Sequence, residues 1–281
     1  MRPNQQPDLR STHASGVVDD PQSARRASRI LHVRDLIKVY TDTRNEVATR
    51  ALNGMGLDVY EAEFISIMGP SGSGKTTLLN ILAGLDRPTS GDLWLQGENM
   101  AAIKASELAL FRRRNLGFVF QDFNLLDTLT LAENVALPLS LDSQRRASIP
   151  QQVSETMKFL GIADQMHRYP YEVSGGQQQR AAVARAIVHQ PRLVLADEPT
   201  GNLDSASARS LLELFQQLNS QRQATILLVT HDPFSASYSQ RVVFIKDGRV
   251  FTELRRSGGQ QQFFQNILNT LAQLEGSHEL A

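Results

Sequence analysis

The spacing of apolar residues changes character several times along the chain, and each change marks an element. Residues 1–29 mix Arg, Ser, Asp, Gln and Pro with few large apolar side chains. Such a stretch cannot bury enough surface to offset the entropy of ordering, so a disordered leader is expected there. From Ile30 the pattern alternates, and Ile30–Leu36 and Leu57–Tyr60 read as half-exposed strands. Phe64-Ile65-Ser66-Ile67-Met68 runs into Gly69 as a buried strand would. Thr76–Ala83 has the apolar density of a helix packed on a sheet, with Gly84 as its stop. Gly91–Gly97, with Leu93 and Leu95 on one face and Trp94 on the other, reads as a short strand, and Leu116–Phe120 as another. Between Gln121 and His189 the pattern is mostly helical. Buried runs return at Leu193–Ala196, Thr225–Val229 and Arg241–Ile245, and Asp247-Gly248 signals a hairpin before Arg249–Leu254. A mostly parallel α/β core with a helical insertion is the economical arrangement.

Beyond Ser257-Gly258-Gly259, residues Phe263, Phe264, Ile267, Leu268, Leu271 and Leu274 recur at helical spacing, predicting an amphipathic helix within 256–281. Its apolar face can pack back on its own domain or meet a second protein, and both roles fit the pattern.

Composition narrows the classes. At 281 residues the chain can bury one large core or two modest ones, and 41% hydrophobic with 21% charged residues is ordinary globular usage. Lys plus Arg equals Asp plus Glu at 29 each, so the basic excess of a nucleic-acid binder is missing and no nucleic-acid partner is expected. The chain has no cysteine, which excludes disulfides, thiolate metal sites and Cys nucleophiles. Residues 1–30 lack a signal-peptide apolar stretch, and no run approaches the roughly 18 apolar residues that span a bilayer. Any membrane role is expected to come through a partner.

Chemistry concentrates first in Gly69-Pro70-Ser71-Gly72-Ser73-Gly74-Lys75-Thr76, a Gly-x-x-x-x-Gly-Lys-Thr run between an apolar strand and a helix. Glycines let the backbone curl so that successive N–H groups face phosphate oxygens, and the helix beginning near Lys75 adds the positive end of its dipole. Lys75 is expected to reach the β- and γ-phosphates of a nucleotide, and the Thr76 hydroxyl to ligate Mg²⁺; Thr77 continues the nucleotide-binding set. Leu193-Val194-Leu195-Ala196-Asp197-Glu198 supplies acids at the end of a buried strand. In phosphate-loop logic Asp197 holds Mg²⁺ and Glu198 polarises the attacking water as general base.

Just before that strand, Val173-Ser174-Gly175-Gly176-Gln177-Gln178-Gln179-Arg180 resembles the ABC ATPase signature, whose commonest form begins with Leu rather than Val. A glycine-rich approach to a helix N-terminus can bind phosphate through backbone N–H groups and the Ser174 hydroxyl. The resemblance spans roughly 30–255 and implies the α/β fold of a P-loop NTPase of the ABC ATPase type. That fold has a mostly parallel core sheet, an N-terminal antiparallel β subdomain and an inserted helical subdomain, here at about 122–190. It also implies that Tyr40 is the aromatic that stacks on adenine, and that Gln121 is the Q-loop glutamine, counted with the catalytic and metal-contacting groups. Asp204 is then the D-loop aspartate and His231 the switch histidine. Taken alone, Tyr40 could cover the sheet, His231 cap a strand end and Gln121 sit in a solvated turn.

The same resemblance implies an ATP- and Mg²⁺-dependent ATPase that closes as a head-to-tail homodimer, with Ser174, Gly175, Gly176 and Gln177 of one copy over ATP held by the other. It further implies a separate integral-membrane permease and peripheral attachment at the cytoplasmic face of the membrane. Phe123, Leu125 and Leu126 either receive a coupling helix of that permease or fill the core of the helical subdomain. Glu198-Pro199-Thr200-Gly201-Asn202-Leu203-Asp204 and the triple Gln resemble the group serving lipoprotein release, macrolide export and antimicrobial-peptide resistance. Ala236-Ser237-Tyr238, Arg241–Gly248 and Ser257–Phe264 resemble the bacitracin-type resistance ATPases within it. An ABC ATPase working on DNA or ribosomes would usually carry a coiled-coil insertion or two tandem ATPase units, and neither is seen; a membrane-associated regulatory ATPase that transports nothing is the other reading.

Overall fold

The computed structural model describes residues 28–42, 47–141 and 148–276. Apart from Ser28 and Arg29, the expected leader lies outside them, as does the end of the expected tail from Ser277 onward. Two sheets form. The first is antiparallel and joins β1 (Arg29–Asp42), β2 (Val47–Tyr60), β4 (Ser90–Leu95) and β5 (Glu98–Asn99) in the order β2-β1-β4-β5. The second contains β3 (Phe64–Met68), β6 (Leu116–Val119), β7 (Leu193–Asp197), β8 (Ile226–Val229), β9 (Arg241–Lys246) and β10 (Arg249–Arg255). Its order is β10-β9-β3-β8-β7-β6, parallel throughout except for β10, which returns antiparallel to β9. The mixed α/β fold with a parallel core and an antiparallel sheet is the one the resemblance implied.

The continuous apolar runs are explained by burial on both faces. Alternate residues Ile65 and Ile67 of β3, Leu193 and Leu195 of β7, Leu227 and Val229 of β8, and Val243 and Ile245 of β9 face one core. That core is shared with the antiparallel sheet and α1 (Lys75–Leu82). The intervening residues Phe64, Val194, Ala196, Ile226 and Leu228 face a second core on the other side. The helices of that side are α3 (Leu131–Ser140), α4 (Ile149–Phe159), α5 (Gly175–Ile187) and α6 (Ser205–Arg222).

Two differences from the sequence expectation have physical causes. β1 and β2 are each 14 residues long. Register shifts interrupt their pairing around Val33–Ile37, where Asp35 takes a left-handed φ of 49°, so the period-two alternation is broken although the strands continue. α2 (Ala105–Asn115) leaves no apolar stripe in the sequence, because Leu108 and Phe111 are its only large residues packed on the first core. The β9–β10 turn is the expected hairpin, with Asp247 and Gly248 both at positive φ (49° and 71°).

After the short α7 (Pro233–Ala236), the tail helix α8 (Gln260–Gly276) packs on its own domain. Phe263, Ile267 and Leu274 are buried against Met68, Val242 and Phe244 of the sheet's second face and Ala236 of α7, leaving Leu268 exposed. One buried cation locks this end of the sheet. Arg241 donates to both Glu63 oxygens (2.7 and 3.0 Å), to Glu253 (2.9 Å) and to the Asp58 carbonyl (2.6 Å), joining β9 to β10, to β2 and to the turn before β3. Arg241→Met would leave the Glu63 carboxylate buried and unpaired, at a cost of about 3–5 kcal/mol. Urea unfolding of the parent, of Arg241→Met and of Arg241→Met/Glu63→Leu checks this. The double variant is expected to regain much of the loss, and an unchanged midpoint for the single variant contradicts it.

Candidate functional site

The loop after β3 is shaped by close backbone approach. A Cβ on residue 69 would stand 2.2 Å from the Ile245 carbonyl oxygen, and one on residue 74 would stand 2.4 Å from that of Ala51, where φ is 101°. Only glycine fits at either place. Gly74 is also the N-cap of α1 and provides no side-chain cap, so the first-turn N–H groups are left for ligand oxygens. The loop floors a cleft of about 600 Å³ lined by Thr49, Arg50 and Ala51 of β2, by Gly69–Gly72 and Gly74–Thr77, and by Glu198, His231, Leu271 and Leu274. A larger hollow of about 1060 Å³ opens near Ile30, Ala62, Val194 and Thr225, at the amino ends of the same strands. It contains none of the loop residues, and the chemistry belongs to the smaller cleft.

Within the cleft, Lys75 Nζ donates to the Gly69 and Pro70 carbonyls (2.9 and 2.8 Å). Burial lowers its pKa, and the charges of Glu198 and Asp197 oppose that shift. Glu198 follows β7 with a left-handed φ of 44°, its N–H bonded to the Val229 carbonyl at 2.9 Å. Its carboxylate accepts from the Thr230 hydroxyl (3.1 Å) and the His231 backbone N–H (3.0 Å), and lies 2.7 Å from His231 Nδ1. A carboxylate so oriented can take a proton from a water, and the histidine can steady it or share that proton.

The other expected site residues are placed differently. Tyr40 is exposed at the end of β1, its hydroxyl donating to Asp86 at 2.7 Å while Lys38 Nζ stands 4.6 Å from the ring centroid. Tyr40 is not among the residues lining the cleft. Gln121 donates to Asn202 Oδ1 (3.2 Å) and packs on Gly201, outside the cleft lining. Ser174 and Gln177 form a capping box at the start of α5, with Gly175 and Gly176 in its first turn. Asp204 caps α6 through the N–H groups of Ala206 and Ser207 and the Ser207 hydroxyl. Neither Asp204 nor residues 174–177 line the cleft of their own chain. Not assigned to the site from the sequence were Thr230, Asn202 and the two α8 leucines, whose contacts in the site leave no local spacing signal.

Phe123 lies 3.6 Å from where a Gly175 Cβ would be, and Leu125 packs on the helical core, whereas Leu126 is 49% exposed. Inward packing therefore accounts for Leu125, while Phe123 is half-buried beside Gly175. Among the described residues no group of three His, Asp or Glu side chains could hold a metal alone. The donor set of one hydroxyl, Thr76, and one carboxylate, Asp197, suits Mg²⁺ shared with substrate phosphates.

Comparison with known proteins agrees with this geometry. Residues 52–201 match the family model described as ABC transporter. The chain is 53% identical over 251 residues to the uncharacterized ABC transporter ATP-binding protein YvcR of Bacillus subtilis, covering 89% of this chain and 97% of that one. It is 47% identical over 248 residues to the bacitracin export ATP-binding protein BceA of Halalkalibacterium halodurans, covering 88% and 97%. A solved structure, the dimeric post-hydrolysis state of the ATP-binding cassette MJ0796 bound to ADP and Pi, matches with a TM-score of 0.74 and 37% identity, covering 82% of this chain and all of that one.

The Asp197 carboxyl is held above its usual range by burial and then by the Glu198 charge, with Lys75 pulling the other way. A raised folded-state pKa favours the protonated form, so its stabilising contribution is complete below the unfolded value, about pH 4, and is lost as pH rises through the folded value. Asp197→Asn stays neutral. In nucleotide-free buffer with chelator it should melt above the parent at about pH 8, by a margin that shrinks as pH falls toward 4. A margin independent of pH in thermal melts would contradict this.

Proposed function

The chain belongs to the ABC transporter family as an ATP-binding, ATP-hydrolysing protein, and from that premise we propose that two copies close head to tail on ATP to drive a separate permease handling bacitracin-type peptide antibiotics. The observation that carries the dimer is the split of the expected site: the phosphate loop, Glu198 and His231 share one cleft, and Ser174–Gln177 of the same chain are not in it. The matched cassette structure is itself dimeric, which supports the same reading. The peptide substrate rests on the bacitracin export relative, 47% identical over nearly its whole length.

In this reading Tyr40 stacks on adenine, and the N–H groups of Gly69–Thr77 and the Lys75 ammonium hold the phosphates. Thr76, Asp197 and Gln121 would hold Mg²⁺, which would supply positive charge against the phosphate oxygens. Glu198 takes the proton of the attacking water, and His231 orients that carboxylate and approaches the γ-phosphate. From the second copy, Ser174, Gly175, Gly176 and Gln177 close over the γ-phosphate, with Asp204 at the seam. Loss of the γ-phosphate removes contacts to both copies, and the dimer opens. Among the described residues no helix is long and apolar enough to cross a membrane. In this reading the permease holds the chain at the membrane, and exposed Leu126 is one point of contact with it.

Glu198→Gln keeps the side-chain shape and removes the base. Turnover should fall on the order of 10²- to 10⁴-fold while ATP still binds and dimer accumulates, as read by phosphate release and size-exclusion chromatography with ATP. Near-parental turnover rejects the role. For the substrate, the chain purified with its native permease should hydrolyse ATP faster with bacitracin-type peptides than with macrolides or lipoproteins. Stimulation by another class, or recovery of a cell-wall hydrolase complex in place of transport, would overturn the peptide assignment.

A further inference from the structure

Gln179 lies on α5, fully buried and away from the phosphate cleft. Its Nε2 donates to two backbone carbonyls, those of Phe120 (3.0 Å) and Pro199 (2.6 Å). Phe120 immediately precedes Gln121, and Pro199 immediately follows Glu198. Both lie beyond the ends of β6 and β7, where the sheet ladder stops. One side chain therefore ties the helix that starts at Ser174 to both strand ends carrying the expected hydrolytic groups. The reverse amide orientation would set an oxygen against two carbonyl oxygens, so the orientation is forced by its partners. The cost of that orientation falls on Gln179 Oε1, a buried acceptor with no hydrogen-bond partner.

The surroundings make this tie stiff. Glu198 holds a left-handed φ, a conformation that persists only where neighbouring contacts over-determine it. Its own N–H is bonded to Val229, its carbonyl accepts from Gly201 N–H, and the next carbonyl is the one Gln179 holds. Further along α5, Arg185 donates to the Phe123 carbonyl at 2.8 Å and to that of Asn124, both residues having positive φ. The helix thus pins the chain on each side of Gln121-Asp122. It approaches β6 closely, since a Cβ at Gly117 would be 2.2 Å from the Ala186 carbonyl oxygen.

We propose that Gln179 is a positioning residue for ATP hydrolysis, passing the placement of the Ser174 end of α5 to Glu198 and Gln121. The proposal rests on the hydrolytic reading of Glu198 given above. A movement of α5 when a second copy engages Ser174 is then felt at both strand ends through one amide.

The test uses the full-length chain carrying Gln179→Leu, Gln179→Glu or, in parallel, Glu198→Gln, with rates expressed per molecule competent to bind a fluorescent ATP analogue. Gln179→Leu should lower kcat roughly 10- to 100-fold, the scale of a small misplacement at a reacting centre, with KM for ATP within about threefold of the parent. Gln179→Glu sets a carboxylate against two carbonyl oxygens and should lose as much at about pH 8. As pH falls its protonated form can donate to one carbonyl, so its kcat relative to the parent should climb. A purely structural role would lower the melting temperature while leaving kcat per competent molecule within about twofold and the pH ratio flat; that result overturns the proposal. If Gln179→Leu does not fold, the pH ratio of Gln179→Glu decides. Parental turnover by Glu198→Gln would sink the hydrolytic reading and this proposal together, whereas an inactive Glu198→Gln beside fully active Gln179 variants would sink this proposal alone.

Discussion

The site depends on the register of one parallel sheet. Ile67 of β3 and Asp197 of β7 both stand level with Val229 of β8. The phosphate loop, the Asp197-Glu198 pair and the Thr230-His231 pair therefore leave the sheet along the same edge and within reach of one another. A slip of one residue in β7 would turn Asp197 to the opposite face, because side chains alternate. What prevents the slip is burial on both sides: every residue of β3 and β8 is buried, and the two faces of each strand belong to different cores. That edge inherits its accuracy from apolar packing that does not touch it.

The cleft at that edge is electrostatically unfinished. Asp197 and Glu198 stand beside the half-buried Lys75 ammonium, and burial moves both Lys75 and Asp197 toward their neutral forms. Lys75 meanwhile directs its donors to loop carbonyls, and Glu198 its oxygens to Thr230 and His231. Phosphate groups with a divalent cation would satisfy both signs at once, since the anion meets Lys75 and the uncapped first turn of α1 while the cation meets Thr76 and Asp197.

Two helices give the edge its walls. α8 lies over Met68, Val242 and Phe244 and brings Leu271 and Leu274 to the cleft, and Lys246 Nζ donates to the Leu274 carbonyl at 3.2 Å. These two leucines give the cleft an apolar wall beside the loop, where charge interactions are less screened than in open water. α5 acts from the other side through Gln179 and Arg185, holding the backbone on either side of Gln121 without entering the cleft.

Short-range chemistry was readable from the chain alone. The glycine spacing of 69–74, the Lys and Thr that follow, and two acids ending an apolar run are local patterns, because backbone curl, helix start and strand end are all set within a few residues. The double-sided burial of β3, β7, β8 and β9 was equally visible as dense apolar runs, interrupted only by Ser66 within β3 and by the charged ends of β7 and β9. The full lengths of β1 and β2 were not, because bulges break the alternation, and α2 was not, because a surface helix need show no stripe. Tertiary structure alone decided that α8 folds back to line the cleft, that Leu125 turns inward, and that Gln121 rests on Asn202. It alone set Gln179 against Phe120, 59 positions earlier in the chain. Contacts between residues so far apart depend on how helices dock on the sheet, and docking is set by packing of whole faces, which no local spacing records.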